Sequence, residues 1–159
     1  MPPPTLNPEP QPAPAGLARR LGAAAYDSIL CLALLMVATA LYKAGQMVWY
    51  GETQLRALSQ TGAMDHDPVL SVLLASLSFA FFACFWTHAG QTLGMQVWGI
   101  RVQNADGSSV GLGQALLRFV LALASWLCLG LGWWWMLIDR QKRTWHDLGS
   151  RSSVVRVAQ

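Results

Sequence analysis

The chain alternates between long apolar runs and shorter polar connections, and the runs have the length of a bilayer. The first, Leu21 to Tyr42, spans 22 residues with a single charge inside it, Asp27. At ~1.5 Å per helical residue such a run matches a hydrocarbon core of ~30 Å. The second, Val69 to Ala89, has no Lys, Arg, Asp or Glu in 21 residues. Ser76, Ala80, Ala83 and Thr87 recur along it at helical spacing, a stripe that would let another helix approach closely. The third, Ala115 to Ile138, has Arg118 near its start and Gly130, Gly132 and Trp133, Trp134 and Trp135 in its second half. It either crosses once or dips in and returns at the glycines.

Between the runs the period changes. Trp98, Ile100 and Val102 alternate with Gly99, Arg101 and Gln103, which predicts a short strand, and Asn104-Ala105-Asp106-Gly107 supplies turn chemistry. The Val-rich end, Ser153 to Val157, reads as a second strand. Residues 43 to 68 are polar and mixed in charge, with Asp65, His66 and Asp67 near their end, and predict an external loop with Trp49 and Tyr50 at the interface. Residues 1 to 16 hold seven of the eight prolines and bury too little to offset ordering, so they read as a disordered tail. Residues 17 to 157 form the membrane domain, with spans near 21–42, 69–89 and 115–138. Arg19-Arg20 and Ala38-Thr39-Ala40 imitate a cleaved leader, but Asp27 inside the apolar stretch argues against cleavage. The pattern therefore predicts an all-α membrane protein, a small transmembrane helix bundle with two clear spans, a third apolar segment and a short cytoplasmic two-stranded β element.

Composition supports the pattern: 53% of the 159 residues are hydrophobic and 12% are charged, about half the charge of a soluble domain. The net charge of +3 is too small and dispersed for a nucleic-acid surface. Cys31, Cys84 and Cys128 lie far apart in apolar runs, with neither CxxC spacing nor a Cys/His cluster, so no disulfide framework, metal site or cofactor is expected. Catalytic signatures such as GxSxG, HExxH and the Walker loop are missing from the sequence, and no enzyme is expected.

Charge placement separates the topologies. A single third crossing divides Lys and Arg four against seven, whereas a hairpin puts nine on the amino-terminal face against Lys43 and Arg56 on the other. The hairpin also allows the two strands to meet, and is favoured. Within the apolar runs the charges are Asp27 and Arg118. A charge near the bilayer centre costs at least ~2.5–3.5 kcal/mol, so Asp27 should be paired, protonated or facing water. Arg20 stands two helical turns before Asp27 on the same face, and Arg118 is the expected partner of Asp27. This Arg20, Asp27 and Arg118 cluster reads either as an ion or proton site or as a static clamp fixing helix register. Asp139 and Asp147 are expected to pair with neighbouring Arg140, Lys142 or Arg143, and His88 and His146 to sit solvated at the interface.

Several short motifs then follow in order: Arg20-Leu-Gly-Ala23 with Asp27; Gly90-Gln-Thr92-Leu-Gly94; Gly99-Ile-Arg101-Val102 with Asp106-Gly107; Ala115-Leu-Leu-Arg118; and Thr144-Trp-His146-Asp147-Leu148. From about residue 17 to 157 the chain resembles the RDD family of small bacterial integral membrane proteins, named for one arginine and two aspartates. The resemblance maps these to Arg20, Asp27 and Asp147, with Asp139 the weaker claimant for the last. Gly90, Thr92, Gly94, His146 and Asp147 become a cytoplasmic motif. The chain departs from the family at Met95, where a lysine is usual, and at Gly149-Ser-Arg151-Ser152, where a small-residue run ends in Gly-Thr.

The resemblance implies a multi-pass protein of the bacterial cell membrane, with transport of unidentified ligands suggested and sodium/proton antiport in some members. Two functions follow as expectations. One is transport of an ion or small solute past the Arg/Asp cluster, which requires a homo-oligomer or another membrane protein because so few crossings enclose little volume. The other is a non-transporting scaffold or accessory subunit whose basic cytoplasmic face docks a partner or anionic lipid.

Overall fold

The computed structural model describes residues 12–60 and 67–157. The expected disorder of residues 1–11, and the Asp65 and His66 part of the expected loop, lie outside these residues. Helix α1, Leu17–Gln60, comes first, followed by α2, Pro68–His88; α3, Leu93–Val97; strand β1, Ile100–Gln103; α4, Leu112–Leu127; α5, Leu131–Trp134; α6, Trp145–Ser150; and β2, Ser153–Arg156.

Helix α1 outruns its expected span. Residues 43 to 60 continue as helix, with a break at Gly51 (φ 74°, ψ 160°), where a polar loop is the sequence expectation. Polarity alone does not break a helix: Lys43, Gln46, Glu52, Gln54 and Arg56 are good helix formers. Glu52 pairs with Arg56 one turn on, Lys43 Nζ donates to Gln46 Oε1 at 3.2 Å, and Gln46 Nε2 donates to the distant Asp67 Oδ2 at 3.0 Å. Asp67 ties this extension to α2. Its Oδ1 accepts from the amides of Val69 and Leu70 at 3.0 and 3.1 Å, capping α2 ahead of Pro68, while Oδ2 accepts from Tyr42 Oη at 2.9 Å. These amide and hydroxyl donors hold the Asp67 carboxyl below its ordinary pKa.

The third apolar run does not form one straight helix. Leu129 and Gly130 both take left-handed conformations, and the segment after them, α5 with a 3₁₀ turn at Trp135–Leu137, leaves α4 at 107°. Gly132 permits the close return, because a Cβ there would lie 2.5 Å from Ser125 Oγ and 3.1 Å from the Trp145 ring. Among the described residues there are thus two helices long and apolar enough to cross a membrane and a third, bent apolar pair.

The strands flanking that bent pair meet. β1 and β2 run antiparallel with Val102 opposite Val154 and Arg101 opposite Val155. Ile100, Val102, Val154 and Val155 are buried, as the alternation predicts for β1. The segment just before α1 corrects the reading of residues 1–16 as uniformly disordered. Pro14 pairs with Val155, the Ala15 amide donates to the Val154 carbonyl at 2.9 Å, and the Arg156 amide donates to Ala13 at 2.9 Å. Proline can take such a place at a sheet edge, where its missing N–H goes unused.

The core gathers at this end of the helices: Ala23 of α1, Ala83 and Trp86 of α2, Ile100, Val102, Ala115 and Val154, with Phe79, Phe82 and Phe119 packed around them. Farther along the helices the large apolar side chains face outward, Leu127 and Leu129 at about nine-tenths exposure. A soluble protein rarely leaves such a surface bare; a lipid solvent makes it the stable one.

Candidate functional site

Asp147 is the centre of the charged site. It lies on α6, whose first amide end it closes by accepting from the Thr144 amide at 3.2 Å through Oδ2. The same oxygen receives Nη1 of Arg20, from the first turn of α1, and Oδ1 lies 2.6 Å from Nη1 of Arg118 on α4. All three side chains are almost fully buried. Arg20 uses the rest of its guanidinium on backbone carbonyls: Nε to Ala15 at 3.1 Å, and Nη2 to Lys142 at 3.1 Å and Val154 at 3.3 Å. Arg118 donates to Ser152 Oγ at 2.8 Å and stacks over Trp86, with 5.4 Å from its guanidinium carbon to the ring centre. Ser152 Oγ is within 2.7 Å of Ser150 Oγ, which donates to the His146 carbonyl at 2.6 Å. A buried charge stays charged when paired and hydrogen-bonded in this way, and the arrangement joins α1, α4, α6 and β2 at one point.

Burial alone would raise the Asp147 pKa, but the Arg118 and Arg20 charges outweigh it and hold the carboxyl well below the ordinary range. Beside it His146 is pushed down to about 3 by burial and by the Arg118 charge, with Asp147 opposing and Arg20 adding to the fall. The imidazole is therefore neutral near neutral pH. Its Nε2 is 3.9 Å from Asp147 Oδ1, its Nδ1 has no hydrogen-bond partner among the described residues, and its ring meets Trp133 edge to face at 5.3 Å.

Asp27 is held elsewhere. Its Oδ2 accepts from the Thr92 hydroxyl and its Oδ1 from the Gly94 amide at 2.9 Å. Thr92 serves twice, since its Oγ1 also accepts from the Met95 amide at 3.2 Å and caps α3. Gly94 is required because a Cβ there would run into the Ala23 carbonyl and lie 2.8 Å from Asp27 Oδ1. Gly90, at φ +68°, lies against β1: its carbonyl accepts from the Val102 amide at 2.8 Å. Gly90, Thr92 and Gly94 therefore dock α3 and β1 onto α1 and hold Asp27.

Arg20, Asp27 and Arg118 do converge, as the sequence suggests, but not as a triad. They line one cavity of about 220 Å³ whose walls come from α1, α2, α4 and α5, with His146, Trp86, Trp133 and Met95 among its other lining residues. The expected pairing of Asp27 with Arg118 does not form; Asp147 takes both arginines, and Asp27 takes uncharged donors. The expectation that Asp147 would pair with Arg140, Lys142 or Arg143 is likewise corrected. That pattern belongs to Asp139, 3.2 Å from Arg143 Nε. His146 is buried rather than solvated, whereas His88 is exposed. Ser150, Ser152, Trp86 and Trp133 join the site without any local signal in the sequence, because their roles depend on how α5 and α6 fold back over α4.

A sequence model described as the RDD family matches residues 14–151. A Bacillus subtilis (strain 168) protein, Uncharacterized protein YckC, is 31% identical over 140 residues, which cover 85% of this chain and 80% of that protein. No solved structure matches the chain.

Proposed function

The chain belongs to the RDD family, and from that premise we propose that it takes part in moving an ion or small solute across the cell membrane, as an assembly with further copies or another membrane protein. The observation that carries this reading is the cavity beside Asp27, which places a carboxylate, two guanidinium groups and a neutral imidazole among apolar walls inside an otherwise lipid-facing bundle. Asp27 is the cavity carboxylate with no ionic partner among the described residues. It has two uncharged donors, whereas Asp147 is locked between two cations. The Arg20, Asp147 and Arg118 set acts in this reading as a clamp that holds α1, α4 and α6 around the cavity. An assembly is invoked because two long helices and one bent pair enclose little volume. This reading assigns no catalytic chemistry to the chain.

The test is flux in liposomes carrying the purified protein and an internal pH dye, with a panel of external salts and an imposed pH gradient. Flux linked to the gradient and abolished by Asp27→Asn supports the proposal. No flux from the parent, or equal flux from Asp27→Asn, removes it.

A second reading has its own observation: Arg140, Lys142, Arg151 and Arg156 are all exposed on the segment that carries α6 and β2. Each basic residue beside an anionic bilayer adds about 1 kcal/mol of attraction. In this reading the face docks anionic lipid or a partner. Neutralising Arg140, Lys142 and Arg151 together should then weaken recovery on anionic vesicles and leave flux unchanged; unchanged recovery would exclude it.

A further inference from the structure

The cavity beside Asp27 opens sideways. Ser28 on α1 and Leu123 and Trp126 on α4 line it and are exposed, so the space reaches the outer surface of the bundle between these two helices. The surface next to this mouth is apolar and bare: Ile29 and Leu32 of α1 and Leu127 of α4 are each more than half exposed. Ser28 stands seven residues beyond Leu21, where the apolar run begins, which is ~10 Å along the helix. Half a hydrocarbon core is ~15 Å thick, so the mouth meets the chain region of one leaflet, deeper than the head groups and away from water.

Inside the mouth the wall stays apolar. Phe82, Met95, Phe119 and Ala122 line it and keep accessible surface, whereas the ionised lining residues keep almost none: Arg20, Asp27 and Arg118 are 4%, 2% and 2% exposed. Both oxygens of Asp27 are taken by Thr92 and Gly94, and Arg20 is spent on Asp147 and on backbone carbonyls. The nitrogens without a hydrogen-bond partner on Trp86, Arg118, Trp133 and His146 each have less than 1 Å² of accessible surface, so they offer no donor to an occupant. Arg20 and Arg118 also stand against Asp27 and Asp147, a balance that selects neither sign of charge.

We infer that this cavity seats a hydrocarbon chain of a bilayer lipid, which enters from the leaflet between α1 and α4. The size fits part of one chain: an apolar cavity of ~150 Å³ takes up benzene or xenon and not water, and this one is about 220 Å³. Lipid tails are as apolar as the wall, so the gain is not hydrophobic. It is the contact recovered when a void, whose lining lacks partner atoms, is filled. The head group stays outside in the plane of the leaflet, so the site is indifferent to its charge, unlike the basic face around Arg140 and Lys142. Seating a chain requires no transport and stands apart from the proposed function.

The test places the full-length protein in nanodiscs of phosphatidylcholine whose chains carry bromine at their midpoint, a quencher of any tryptophan it touches. Trp86 lines the cavity and is 6% exposed, so lipid outside the bundle does not reach it. Its share of the emission is the difference between the parent and Trp86→Phe, with an unchanged thermal midpoint as the check on folding. Brominated chains should quench Trp86 in the parent. Ser28→Phe, which blocks the mouth from an exposed position, and Ala122→Phe, which fills the space, should each abolish that quenching. Native mass spectrometry after detergent exchange should show one lipid retained by the parent and none by Ser28→Phe, with phosphatidylcholine and phosphatidylglycerol retained alike. Unquenched Trp86 without a retained lipid overturns the inference and leaves the space to water. Retention that follows head-group charge and ignores both phenylalanine variants also overturns it, assigning the lipid to the basic face. So does an unquenched dimer that Ser28→Phe dissociates, which gives the mouth to a second copy of the chain.

Discussion

His146 offers a prediction whose sign and size follow from its surroundings. The residue is 5% exposed and its imidazole is neutral in the folded protein down to about pH 3, because burial and the Arg118 charge resist protonation. In the unfolded chain it titrates near 6.5. Between those two values the unfolded state binds the extra proton and the folded state does not, so stability rises with pH across the window and is lost as pH falls below 6.5. The limiting slope is ~1.4 kcal/mol per pH unit, which integrates to about 2 kcal/mol between pH 7.5 and pH 5. For a chain of this length that is a drop of roughly 4–8 °C in Tm. The assay is thermal unfolding in detergent at both pH values for the parent and His146→Phe, which keeps the aromatic contact with Trp133 and cannot titrate. The parent should lose this increment on acidification and the variant should not. Equal pH dependence in both would contradict a neutral buried imidazole, since it would mean that His146 takes up its proton inside the fold, against Asp147.

Other changes test the packing. Gly94→Ala places a methyl group against the Ala23 carbonyl and Asp27, and should cost about 1–3 kcal/mol while loosening α3 from α1, read as faster amide exchange over Leu93–Val97. Gly22→Ala meets the Trp98 indole and should cost a similar ~1–3 kcal/mol, with a change in near-ultraviolet dichroism as the ring shifts; an unchanged spectrum would contradict the contact. Asp67→Ala removes the cap of α2 and should lower stability by about 1 kcal/mol in urea titration, whereas Asp67→Asn, which retains a capping oxygen, should recover most of it. A reporter fused after residue 157 and one inserted near residue 54 should fall in opposite compartments, because the β1–β2 pairing puts the carboxyl end with the amino-terminal end of α1.

The apolar run marks α2, the period-two alternation marks β1 and the Val-rich end marks β2, because each depends on residues within a few positions of one another. Gly130 and Gly132 signalled a possible return, and Leu129 and Gly130 make it by adopting the left-handed region together. Long-range choices were not legible. Asp27 and Asp147 are both candidates for Arg118, and nothing local says that Thr92 and Gly94 satisfy the first and leave the arginines to the second. The same limit hid the helical extension of α1, where Tyr42 and Gln46 meet Asp67, more than twenty residues farther along the chain. The strand-like use of Ala13 to Ala15 was concealed by proline-rich composition, since an edge position needs few donors and local composition does not show which edge is free. The basic and polar neighbours of Asp147 mask its role in the sequence, because its ionic partners are the distant Arg20 and Arg118.

The clamp depends on which carboxylate holds Arg118. The direct measurement is a pair of double-mutant cycles for unfolding, one combining Arg118→Gln with Asp147→Asn and the other combining Arg118→Gln with Asp27→Asn. A close buried charge pair should couple by at least about 1.5 kcal/mol, whereas residues without a shared partner add to within ~0.5 kcal/mol. The structure predicts strong coupling of Arg118 to Asp147 and near-additivity with Asp27. The reverse pattern would contradict the clamp and the separate standing of Asp27 at the cavity.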